Sequence, residues 1–305
     1  MDDFGELRSL LHVDPKGRAD AWDALVELMN RHFREDPKRT LEQWIPYAVE
    51  ILDGSWTDAE RVAPKAWIDA AGRGARKAAL LQITRTFDMT RRRKASLMVL
   101  CQAKGLEPIR RLEWHGGNFT ADHGRALRNS RTLTHVDTIV FTGGKLTTNA
   151  SKSIGKSVFM PNLRHVVIKD AVLQPLALSM LSSGDASSLE TLTVESIRVS
   201  SSDELDWSPL ATADLPSLRH LSVAHSWFLG DTLFWILGAP SLANLESLDL
   251  ARAPDLPGLY GPYDPDFDPY GVLTRKQILE TFEPEALLTK AGMDPARVAK
   301  AIASI

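Results

Sequence analysis

Residues 161–168 read PNLRHVVI, and residues 216–223 read PSLRHLSV. The two phrases start 55 residues apart. They belong to a longer series with the pattern apolar-x-x-apolar-x-x-apolar-x-apolar. It fits at Leu106/Ile109/Leu112/Trp114, Leu133/Val136/Ile139/Phe141 and Met160/Leu163/Val166/Ile168. It fits again at Ala186/Leu189/Leu192/Val194, Leu215/Leu218/Leu221/Val223 and Leu242/Leu245/Leu248/Leu250. All 24 positions are apolar, and the steps between copies are 27, 27, 26, 29 and 27 residues. The spacing of 55 is thus two periods. A period in the twenties marks a stacked solenoid. The alternating end of each copy predicts a short strand with one face inward. The remaining ~18 residues return the chain to the next strand. No copy covers its own apolar face, so copies must stack.

This pattern resembles the leucine-rich repeat family over residues 106–253. That family continues past the strand as x-x-Asn-x-Leu. Here the Asn column holds Gly117, Gly144, Ala171, Ile197, Ser226 and Ala253. The next column holds Phe119, Leu146, Leu173, Val199 and Phe228, and fails at Asp255. The resemblance is to a divergent branch, with helix-bearing repeats of ribonuclease-inhibitor type. The fold class expected is α/β: a leucine-rich-repeat solenoid of parallel strands with helical returns. A helical N-terminal domain (1–105) and a helical C-terminal cap (254–305) complete it.

Stacked strands place equal positions in columns ~4.8 Å apart. One column reads Arg110, Asp137, Arg164, Glu190, Arg219, Glu246, alternating in sign at every step. It is expected to be a solvated ladder that holds register. The outward strand residues are expected to line a concave face and to contact a protein partner. The candidate contacts are Arg111, Glu113, His115, Val140, His165, Val167, Lys169, Thr193, Glu195, His220, Ser222 and Asp249. His115, His165 and His220 recur two strands apart, too far to share a metal, so no metal site is expected. Within residues 225–240, HSWFLGDTLFWILGAP, the consecutive Leu233, Phe234, Trp235, Ile236 and Leu237 place apolar groups on every side if helical. The C-terminal tail is expected to cover them, with a second copy through 227–237 as the alternative. Trp227 on that edge is a second candidate contact.

The ends read differently. Trp22, Leu25, Val26, Met29 and Phe33 keep helical spacing. Thr40 with Gln43, and Thr57 with Glu60, form candidate capping boxes. A last helix is expected over 93–104, ending at Gly105. Residues 72–111 carry eleven Lys or Arg against Asp88 and Glu107, including RRRK at 91–94. Without aromatic interleaving this reads as a solvated face, with a nucleic-acid patch as the lesser alternative. Residues 253–271 hold five prolines and four aromatics and form a strap. Asp264, Asp266 and Asp268 start like a calcium loop, but Pro269 and Arg275 break that motif.

Composition narrows the function. Net charge is −3, which gives no global attraction to nucleic acid or anionic membrane. The lone Cys101 allows no intrachain disulfide and lies beside Leu97 and Leu100, as a buried thiol would. No secretory signal or membrane-length apolar run is present, so a cytoplasmic location is expected. TGGKLTT at 142–148 lacks the spacing of a phosphate loop. No catalytic residue and no cofactor is expected. The expected role is noncatalytic protein binding, as scaffold, adaptor or inhibitor. The rivals are a toxin-neutralising or host-directed protein, and an enzymatic or nucleic-acid function within 1–105.

Overall fold

In a computed structural model, short parallel strands follow the apolar rhythm. The structure describes residues 3–90, 94–200, 205–224, 244–249 and single positions between 285 and 299. The chain divides into two compact units: residues 1–113 with 129–136, and residues 114–128 with 137–305. It is an α/β protein with parallel sheets and a helical N-terminal region. No helix among the described residues is long and apolar enough to cross a membrane.

The first unit opens with helices α1 (Asp3–Leu11) and α2 (Arg18–Glu35). In α2, Trp22, Leu25 and Met29 are buried as the spacing implies, together with Leu28 and His32. A single turn, α3 (Pro37–Arg39), leads into a π-helical turn, Thr40–Trp44. Thr40 is not the cap expected there. Asp36 is, its side chain accepting from the Arg39 amide at 2.9 Å with Pro37 in the first turn. Helices α4 (Ile45–Ser55) and α5 (Lys65–Gly72) follow. Between them the Thr57/Glu60 capping box forms as read. Four tryptophans pack into this unit. Trp22, Trp56 and Trp67 place their indole N–H on Val62 O, Leu11 O and Asn30 Oδ1 at 3.0–3.1 Å. Trp44 is buried against the ring of His32.

A charged clamp ties this unit together. Arg61 is 1% exposed, donates from Nε to Ile83 O at 2.9 Å, and pairs with Asp53 of α4. Arg85 holds both Asp53 oxygens at 2.7 and 2.9 Å. The backbone follows the same route: Arg85 N and Thr86 N both donate to Arg61 O.

Region 1–105 is not wholly helical. Thr86–Asp88 forms strand β1, which pairs in parallel with the first half of β2 (Arg111–His115), Phe87 opposite Leu112. The repeat therefore starts one copy earlier, at Leu81/Thr84/Phe87/Met89, all buried and 25 residues before the Leu106 copy. Thr84 stands in an apolar column and hides that copy from a hydrophobic pattern. Its hydroxyl donates to Leu81 O at 2.7 Å, which meets its hydrogen-bonding need locally. Leu81 O also accepts the Thr84 amide, so Thr84→Val leaves no orphaned group. That variant is expected to change stability by less than about 1 kcal/mol in chemical denaturation. Helix α6 spans Lys94–Leu100, shorter than the 93–104 read from sequence, and Gly105 follows at φ +98°. Cys101 is buried, and burial pushes its thiol up to about 12.

The second unit holds β3 (Asn118–Phe119), helix α7 (Ala121–Arg128) and β4 (Thr138–Thr142). β5 (Lys145–Leu146), helix α8 (Thr148–Gly155), β6 (His165–Lys169) and β7 (Val172–Leu173) follow. Then come β8 (Thr191–Glu195), β9 (Arg198–Val199), the short helix α9 (Ser208–Thr212), β10 (His220–Ser222) and β11 (Ser247–Asp249). Strands pair in parallel in the order β4-β6-β8-β10-β11. Ile139, Val166, Leu192, Leu221 and Leu248 fall opposite one another in one row. Phe141, Ile168 and Val194 form the next. The side chains of Ile139, Val166, Leu192 and Leu221 are at most 1% exposed. Each such burial contributes about 1.5–3 kcal/mol.

A second parallel ladder, β3-β5-β7-β9, was not legible as strand. It pairs Phe119 with Leu146, Leu146 with Leu173, and Leu173 with Val199. The corner between the two ladders needs no asparagine. Left-handed residues make the turn: Gly116 and Gly117, Gly143 and Gly144, then Asp170 and Ser196 at φ 52°. Backbone bonds close it, Lys145 N to Gly117 O, Val172 N to Gly144 O and Arg198 N to Ala171 O, at 2.7–2.9 Å.

Candidate functional site

The outward strand positions of the second unit form three rows. The first reads Thr138, His165, Thr191, His220, Ser247. The second reads Val140, Val167, Thr193, Ser222, Asp249. The third reads Thr142, Lys169, Glu195. Strict alternation in β6 and β8 puts every second residue inside and leaves these half-exposed. β4 departs from it: Thr138 and Val140 are 8% and 6% exposed. Val140, a candidate contact, therefore offers almost no surface. His115, His220 and Asp249 are exposed.

The rows hold their own polar network. Lys169 Nζ lies 2.7 Å from Glu195 Oε2, and Ser222 Oγ donates to Glu195 Oε1. His220 Nδ1 lies 2.9 Å from Ser247 Oγ. The Lys169–Glu195–Ser222 cluster, which bridges the second and third rows, was missed as a unit. Its signal was available: Lys169 and Glu195 are 26 residues apart, the local repeat step. The network fixes rotamers on an open face. Both charges are partly solvated, so Lys169→Ala is expected to cost under about 1 kcal/mol in denaturation.

The flanking charge column pairs in part. Arg164 lies 3.6 Å from Glu190, and Arg219 lies 4.0 Å from Glu246. Arg110 instead reaches His135 O at 3.4 Å, within the first unit. Arg111 and Glu113 also belong to the first unit and bind each other at 2.6 Å.

Among the described residues, no three His, Cys, Asp or Glu side chains gather as a metal site would require. His165 and His220 stand two strands apart in the first row, with Thr191 between them. Trp227, segment 227–237 and the tail expected to cover it lie outside the described residues, as does RRRK up to Arg93. Neither a family model nor a curated protein matches this chain.

Proposed function

We propose that the repeated segment is a leucine-rich-repeat stack whose outward strand face binds a protein partner. The chain then serves as scaffold, adaptor or inhibitor. One observation carries this reading. Four strands, β6, β8, β10 and β11, hold hydroxyl, imidazole and ionic side chains in register on the face opposite the core. The core uses none of these side chains for packing. Regular columns at strand spacing suit an extended polypeptide, which repeats its own contacts at a comparable interval. The mix of small, polar and paired charged groups favours a broad contact over an enclosed small-molecule site.

The test is a paired capture with the full chain, comparing wild type with Lys169→Glu/His220→Glu. Both positions are outward, so folding is expected to survive, with circular dichroism as the check. Loss of the partner by tenfold or more in affinity supports the face. Unchanged affinity moves the site elsewhere on the molecule.

A further inference from the structure

A buried histidine in the first unit stands apart from the proposed binding face. His32 of α2 is 5% exposed. Its ring stacks on Trp44 with centroids 3.5 Å apart and planes at 25°. Its Nδ1 lies 2.9 Å from Thr40 Oγ1. Thr40 Oγ1 lies 2.8 Å from Asp36 O, an acceptor only, so the single hydroxyl hydrogen goes there. Nδ1 must therefore carry the hydrogen shared with Thr40. In the neutral ring Nε2 is then the bare nitrogen, and a further proton must enter there.

Both polar and stacking contacts of this ring run to one short segment, the turn 36–44. Its second part, Thr40–Trp44, is π-helical, a rare geometry that is short wherever it occurs. Pro37 and Pro46 bracket it and supply no amide hydrogens. Its exit is covered by an aromatic corner: Phe4 of α1 meets Trp44 edge-on at 6.2 Å and Tyr47 at 5.2 Å. Phe4 is 37% exposed, so this corner lies at the surface.

We propose that protonation of His32 releases the turn 36–44 and uncovers the Phe4–Trp44–Tyr47 corner. A charged imidazolium at this depth loses hydration, and its stacking on Trp44 returns only part of that. The groups around the ring act both ways. Arg39, from the turn, opposes the proton; Asp3 of α1, Asp36 of the turn and Glu35 of α2 favour it. Burial is the largest influence and Arg39 adds to it, so the ring sits below its ordinary 6.5. The sign follows. The open turn, with a solvated ring, binds the proton more tightly than the closed one. Opening is indifferent to pH above about 6.5 and grows as pH falls below it.

The experiment is amide hydrogen exchange on the full chain at about pH 7.5 and about pH 5, spanning the imidazole range. Rates for 36–47 are normalised to strand β6, which removes the intrinsic pH effect. The expected result is a relative rise of about tenfold per pH unit, from about 6.5 down to the folded titration point. His32→Gln, which keeps a donor toward Thr40 but cannot titrate, is expected to flatten it. A rise of equal size in His32→Gln overturns the proposal, as does no rise in wild type. If His32→Gln does not fold, NMR titration of the wild-type ring decides. A midpoint below 6.5 that coincides with the change at Trp44 supports the device. A midpoint at or above 6.5 overturns it.

Discussion

Gly144→Ala is expected to destabilise the second unit by about 3 kcal/mol or more, while Gly116→Ala costs only about 1 kcal/mol. Both glycines have left-handed backbones, φ +67° and +74°. That conformation alone costs an L-residue about 1–2 kcal/mol. The sites differ in what a methyl would meet. At Gly116 nothing lies within 4 Å. At Gly144 the added carbon would sit 2.0 Å from Gly117 O and 2.7 Å from Gly116 C. Those atoms are backbone, so no rotamer change relieves the clash. The two turns would have to separate, and the bonds from Lys145 to Gly117 and from Val172 to Gly144 run through that spot. Chemical denaturation of both variants checks the claim. Equal losses would mean that the corner is looser than described.

Asp53→Ala is the second large effect, in the first unit. A wholly buried ion pair broken at one end costs about 3–5 kcal/mol. Asp53 is 46% exposed, so water shares its charge and the figure must be discounted. Arg61 is 1% exposed and cannot recover hydration when its carboxylate goes. A loss of about 2–3 kcal/mol is expected. Acid is expected to produce part of the same loss. Burial alone would raise the Asp53 carboxyl, but the hydrogen bond from Arg61 and the charges of Arg85 and Arg61 outweigh it and hold it low. Its folded value lies below its unfolded one. The contribution is thus complete above about pH 3.9 and fades as pH falls through the lower folded value. Urea titrations at stepped pH should show Asp53→Asn losing this acid-limb slope. An unchanged slope would assign acid lability to other carboxylates.

The strands at Leu112, Ile139, Val166, Leu192 and Leu221 were legible because their periodic residues are those the core consumes. Burial selects for apolar side chains, and a fixed step then shows through. β1 was hidden by one hydroxyl, Thr84, that satisfies itself against its own backbone. The two-residue strands beginning at Phe119, Leu146, Leu173 and Val199 were seen only as a column, because two residues are too few to display a period. The Arg61–Asp53–Arg85 clamp was illegible for another reason. Its members lie 8 and 32 residues from Asp53, and charged residues in isolation read as solvated. On the outward face the register was readable, and with it the rows. The burial of Val140 was not, since an outward position reports direction and not cover. His32 kept the helical spacing of α2, but an imidazole on an apolar stripe gives no sign of the turn it holds.

The order β4-β6-β8-β10-β11 bears on how such a chain can change length. Each strand bonds only to the copy before and the copy after. Excising residues 160–185 would bring Ala186 to the place of Met160, and Leu192 beside Ile139, with the inward side chains still inward. A cut one residue longer or shorter would be absorbed in the return between strands, as the existing steps of 26, 27 and 29 residues already are. Gain or loss of about one whole step therefore leaves each strand facing the same way, with spare residues taken up in the returns.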